Sequence, residues 1–274
     1  MNLSVSNIAW NRDEINEALA VLKKYKINCL EIAPTLLFDD ILILSDEEIK
    51  KTKSQYRAKG FSFVAMQSLL YGIPNYSIFD DSQKVGQLFN YLLRIVAIAH
   101  LLGTTRLVFG SPKNRTIRNL ASRNNDSLAV SFFQKLSAAA RKNGTVICFE
   151  ANPKEYGCNF IVDTFEAIEF VKKVNHPNFK LNLDIGTILM NEENPEEVIN
   201  KADNLIGHIH ISTPYLGKIA STEVDHNYFS RLIRESNYDG FVSLEMKKNP
   251  AGSSIQTLEE NVKIFVEHYG TGCA

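Results

Sequence analysis

The chain is 274 residues long, 45% hydrophobic and 22% charged, with 30 Lys+Arg against 31 Asp+Glu for a formal net charge of −1. A duplex nucleic-acid binder carries a basic surplus, and no run approaches the roughly 18 apolar residues of a membrane span, so neither a nucleic acid nor a membrane is expected as partner. The four cysteines form no C-x-x-C pair, which argues against a zinc ribbon or a thioredoxin-type motif.

Cys29 and Cys148 lie inside apolar runs and read as buried free thiols. The opening MNLSVSNIAWNRDE lacks the basic region and long apolar stretch of a signal peptide. The expectation is a soluble, reduced, cytoplasmic protein.

In chain order, LSVSNIA (3–9) is strand-like, and DEINEALAVLKKY (13–25) has helical spacing with acids first and lysines last, as the helix dipole favours. NCLEIAP (28–34) is a strand ending at proline. SDEEIKKTKSQYRAKG (45–60) is a helix opened by an S-x-x-E capping box and closed by glycine. FSFVAMQS (61–68) is a strand, DSQKVGQLFNYLLRIVAIAHLLG (81–103) a long helix, and TRLVFGS (105–111) a strand.

The alternation continues with a helix over 125–144, closed by Asn-Gly, and the strand TVICFEANP (145–153). A helix with an acidic start (163–174) precedes the strand FKLNLDIG (179–186). A short helix with proline in its first turn (194–202) precedes the strand IGHIHIS (206–212). A helix over 227–237, the strand GFVSLEMK (240–247) and a helix over 253–269 complete the pattern. Eight strand–helix units without a linker-like break imply parallel strands. The length then suggests a single (β/α)8 barrel domain over 1–274. A doubly wound open sheet is the rival, but it usually shows a glycine-rich first turn, and NIAWNRDE has no G-x-G-x-x-G.

Barrel enzymes carry their chemistry at the C-terminal ends of the strands. The polar residues there are Glu31, Gln67, Lys113 and Arg115 in GSPKNR, Glu150, Asp184, His208 with His210, and Glu245 with Lys247. Glu150, Asp184, His210 and Glu245 end four successive apolar runs. A single acid of this kind is more often a cap or salt-bridge partner. Three carboxylates and an imidazole converging on one mouth would repel one another, and a divalent cation removes the repulsion. An oxygen-rich set with one histidine suits Mn²⁺, Mg²⁺, Co²⁺ or Zn²⁺ without choosing among them.

His208 and His210 share a strand face. His210 is nearer the mouth and is the better ligand. His208 lies deeper, where it would orient its neighbours or contact substrate. Lys247 is placed to bind a substrate anion or carbonyl, and Lys113 and Arg115 hint at a phosphate or carboxylate group; a solvated loop is the alternative for each. His226 enters as a helix-entry residue or a contact at the mouth. Trp10 and Phe63 are read as core, with a pocket wall as the alternative.

CFEANPKEYGCNF, LNLDIGT, HIHIS and YDGFVSLEMK, in that order and spacing, resemble the sugar phosphate isomerase/epimerase family of the xylose isomerase-like barrel superfamily over essentially the whole chain. The resemblance implies one divalent metal held by Glu150, Asp184, His210 and Glu245. It also implies an isomerase or epimerase of a sugar, sugar phosphate or related polyhydroxy acid, in which the two glutamates exchange protons with this carbohydrate-like small molecule through an enediolate. Gln67, His208, Lys247, Lys113, Arg115 and His226 are the candidate substrate contacts.

One departure stands out. Many sugar epimerases of this family carry D-x-x-H, and here the last place is Thr187, which puts a free ketose substrate in question. An inosose-type dehydratase on the same metal site is the enzymatic alternative. From other classes come an endonuclease IV-like repair enzyme, disfavoured by the lack of histidines on strands two to four, and a non-catalytic metal-binding barrel. The sequence leaves a homo-oligomer open.

Overall fold

In the computed structural model eight parallel strands close into a barrel in sequence order. They are β1 (Asn2–Ser6), β2 (Cys29–Ile32), β3 (Ser62–Met66), β4 (Arg106–Phe109), β5 (Val146–Glu150), β6 (Phe179–Asp184), β7 (Ile206–Ile211) and β8 (Phe241–Leu244). The structure describes residues 1–73, 76–118, 125–220, 224–249 and 253–270. The outer shell comprises α1 (Ile15–Lys24), α2 (Pro34–Leu37), α3 (Asp46–Ala58), α4 (Ser82–Leu102), α5 (Asn125–Lys142), α6 (Thr164–Val174), α7 (Ile185–Met190), α8 (Pro195–Ala202), α9 (His226–Glu235) and α10 (Ser254–Tyr269). This is the (β/α)8 architecture.

Local signals set several boundaries. Ser45 and Glu48 form the reciprocal capping box that starts α3. Asp81 caps α4, which stops at Gly103, whose φ of 82° glycine adopts without strain. By length and mean hydropathy α4 is long and apolar enough to cross a membrane, although polar residues interrupt its apolar run. Here it is a shell helix packed beside α3 and α5.

Strand parity sends alternate residues outward and inward. Phe109, Phe149 and Phe179 pack outward against Phe133 of α5, and Phe149 and Phe179 also meet Phe170 of α6. This aromatic cluster anchors β5, so the next residue, Glu150, faces the interior. The interior near the mouth is polar: Ser4, Ser6, Glu31, His208, His210 and Ser243 are fully buried. The register slips immediately before Glu31 on β2 and before Asn182 on β6, and such irregularities re-aim side chains.

Each strand ends one to three residues before its sequence suggests, and at two of them the reason bears on the site. β6 stops at Asp184 because α7 begins at the next residue, with Asp184 as its N-cap. β8 stops at Leu244. Glu245 continues extended, its N–H donating to the Ile211 carbonyl at 3.0 Å, and Lys247 donates likewise to the Leu216 carbonyl at 3.0 Å.

Candidate metal centre

His210 is the centre of the mouth. Its Nε2 lies 3.1 Å from Glu31 Oε1, and its Nδ1 lies 3.2 Å from Glu150 Oε2 and 3.0 Å from Glu245 Oε2. Nδ1 makes no aligned hydrogen bond to either carboxylate. Nε2 is therefore placed to donate to Glu31, and Nδ1 is turned toward two carboxylates. Ligand atoms of Glu150, His210 and Glu245 all lie within 4.8 Å of one another. A buried imidazole nitrogen beside two carboxylate oxygens fits a divalent cation that displaces its proton.

Asp184 lines the same cavity, of about 410 Å³, with Glu150, His210 and Glu245. Ser212 Oγ donates to its Oδ1, while the Thr187 N–H and hydroxyl each donate to Oδ2 at 2.9 Å. Glu150 is held by Asn152 Nδ2 at 3.1 Å and by Asn182 Nδ2 at 2.6 Å. Gly110 must be small: a Cβ there would stand 2.7 Å from Glu150 Oε1.

The charges follow from burial and from each other. Burial pushes the Glu245 carboxyl up to about 7, with Glu150 and Asp184 adding to the rise against the pull of His210. Burial and then Glu150 raise Asp184. Burial alone would lower His210, but Glu245 and Glu31 outweigh it and hold the imidazole well above its ordinary value. Glu31 is the reverse case, since burial would raise it and the two imidazoles hold it far below the usual carboxylate range. With Glu245, Asp184 and His210 all raised, these crowded groups hold protons that a divalent cation would have to displace.

The other candidates separate. Gln67 and Lys247 line the cavity. His208 does not: fully buried, its Nε2 meets Ser243 Oγ at 3.0 Å and lies 3.5 Å from Glu31 Oε1, beneath the site. Lys113 is exposed and outside the cavity wall. Arg115 is fully buried, its guanidinium 4.7 Å from the centre of the Phe149 ring, so the placement of this pair does not support an anion contact. His226 lies away from the mouth, bonded to the Tyr269 hydroxyl at 3.0 Å and the Ile219 carbonyl at 2.6 Å. Trp10 lines a second cavity, whereas Phe63 packs on Tyr56 with ring centres 4.8 Å apart.

Sequence reasoning noted Glu31 as a strand-end acid but left it out of the site. The signal was present: an acid buried in an apolar run needs a partner, and HIHIS offers two. Asn152, Asn182, Ser212 and Gly110 carried no comparable signal.

Comparisons with known proteins bear on the family and the fold. A family model described as xylose isomerase-like TIM barrel matches residues 19–267. A D-psicose 3-epimerase of Enterocloster bolteae is 27% identical over 143 residues, covering 49% of this chain and 45% of that protein, so the match spans under half the length of that curated relative. The crystal structure of D-allulose 3-epimerase from Methylomonas sp. in complex with D-allulose superposes with a TM-score of 0.79 at 19% identity, covering 98% of this chain and 97% of that one. The crystal structure of 3-keto-D-glucoside 4-epimerase from E. coli gives 0.76 at 17% identity, covering 95% and 97%. At these identities the two structures establish a shared fold.

Proposed function

The chain belongs to the xylose isomerase-like TIM barrel family, and from that premise we propose that it is a divalent-metal-dependent isomerase or epimerase of a sugar or related polyhydroxy carbonyl compound. The observation that carries this is the pair of carboxylates, Glu150 and Glu245, facing the free Nδ1 of His210 in one cavity. Glu150, Asp184, His210 and Glu245 would hold the cation. The chemistry supplied by a bound divalent cation is stabilisation of the negative charge that develops on a substrate oxygen.

The protein groups do the rest. Glu150 and Glu245 come from strands β5 and β8, and a proton removed by one carboxylate can be returned by the other on the opposite face of the substrate carbon. The amides of Asn152 and Asn182 fix the Glu150 carboxylate, so it meets the carbon acid in one orientation. Tyr156 stands at the cavity wall, its hydroxyl accepting from the Tyr215 N–H at 2.8 Å. Thr187 Oγ1 is committed to Asp184, with a 3.3 Å contact to the Ala151 carbonyl, so the hydroxyl replacing the family histidine is not available to a sugar.

The test is deuterium uptake from D₂O into D-allulose or D-fructose by the manganese-loaded protein, with the product mass separating isomerisation from water loss. Uptake that disappears in Glu150→Gln and Glu245→Gln supports the assignment. Wild-type uptake in either variant overturns it.

A further inference from the structure

A second cavity, of about 630 Å³, opens beside the metal cavity and is the larger of the two. The two share Ser68, Leu216 and Lys247 in their walls, so they adjoin at a waist formed by these three residues. The inner part is lined by the acids and His210. The outer part is walled by Ile8, Trp10, Ile15, Leu36, Leu37 and Tyr56, with the exposed Tyr71 at its rim. Cavities of this size and lining suit the apolar portion of a small ligand.

Several polar groups of the outer wall have partners already. Asn7 Oδ1 accepts from the Ala33 N–H at 2.7 Å, Lys248 Nζ donates to Asn11 Oδ1 at 2.6 Å, and Arg12 pairs with Asp39 and donates to the Leu37 carbonyl at 3.2 Å. A second sugar ring in that cavity would lose hydration with few groups to replace it. An aromatic ring loses little and gains contact with Trp10 and Tyr56. Lys247 differs from the others: at the waist, its ammonium makes no hydrogen bond or ion pair among the described residues.

We propose that the substrate has two parts: a polyhydroxy carbonyl portion in the metal cavity and an aromatic substituent in the Trp10 cavity. The linking oxygen would pass the waist within reach of Lys247. The inference rests on the sugar isomerase reading for its inner half, and it names the class of substrate as an aryl-substituted keto sugar. A free monosaccharide would occupy only the inner cavity.

Trp10 is the only tryptophan in the chain, so its emission reports on the outer cavity. The experiment titrates the manganese-loaded protein with phenyl β-D-glucopyranoside and with methyl β-D-glucopyranoside, following tryptophan fluorescence. The phenyl compound is expected to shift the emission saturably and to bind at least about tenfold more tightly than the methyl compound. Leu36→Phe, which fills the cavity from a half-buried position, should weaken the phenyl compound by about tenfold, and Tyr71→Ala at the exposed rim should weaken it by a smaller factor.

Equal binding of the two glycosides, or no effect of either variant on the phenyl compound, overturns the proposal. Deuterium uptake measured on the same preparation separates the two readings. Uptake without phenyl preference removes the aromatic subsite alone. Phenyl preference without uptake removes D-allulose and D-fructose as substrates of the inner site and leaves the subsite assigned.

Discussion

The two halves of the barrel mouth are built differently. Strands β5 to β8 place Glu150, Asp184, His210 and Glu245 at their ends, the last one residue beyond its strand, and these are the groups proposed to hold a cation and move protons. Strands β1 to β3 offer Ser6, Glu31 and, just beyond β3, Gln67, and the segments after β1 and β2 carry the apolar walls of the Trp10 cavity. One half concentrates ionisable groups, and the other supplies shape and support. The division is not complete, because Glu31 reaches from β2 beneath the centre to His210 Nε2. A carboxylate that accepts from the far nitrogen of a ligating imidazole fixes both its tautomer and its direction.

The sharpest way to break this contrast is to disable the reactive half. Glu150→Gln or Glu245→Gln should lower deuterium uptake by about 10²–10⁴-fold, the range for losing a positioned acid–base group. An equal loss on replacing Gln67 with Leu would mean that the supporting half does chemistry as well. Next in size is Glu31→Gln, which should weaken manganese binding by about 10–100-fold in calorimetric titration. Unchanged affinity would show that the two halves act independently.

The third measurement is thermal. The Glu245 carboxyl is raised from its ordinary 4.5 to about 7 in the folded protein, so between these values the folded state holds a proton that the unfolded chain has released. Raising the pH through that window therefore removes stability from the metal-free protein, on the order of 3 kcal/mol in full. A bound cation takes the place of the proton, so the manganese-induced rise in Tm should be larger near pH ~7.5 than near pH ~5.5. A rise independent of pH would remove Glu245 from the ligand set. The smallest effect belongs to Ser243→Ala, which deletes the hydroxyl between His208 and Ser4. It should cost about 1 kcal/mol in chemical denaturation while leaving manganese affinity within a few-fold.

The same division decides what could be read from residues alone. The strand–helix alternation and the caps at Ser45, Asp81 and Gly103 are local, and they place the barrel. Acids ending apolar runs are also local signals, and they lead to Glu150, Asp184 and Glu245. The supporting half is set by tertiary geometry. Glu31 reaches His210 across 179 residues of sequence, helped by a register slip on β2. Lys113 and Arg115 lie in one short segment, yet one side chain turns to solvent and the other lies buried beside Phe149. The charge pattern is identical for either outcome. Thr187 could not be read as a partner of Asp184 without knowing that β6 turns directly into α7.

The serine pair at the seam bears on how the barrel is made. Ser4 on β1 and Ser243 on β8 face each other in register, 239 residues apart in sequence, and His208 leans on that contact. A growing polypeptide displays β1 first and cannot close the ring until β8 has emerged, bringing Glu245 with it. Such non-local pairing forms late. The ion would then be a latecomer that recognises only the closed ring, slowing the rate at which the barrel reopens while leaving the speed of its assembly nearly untouched.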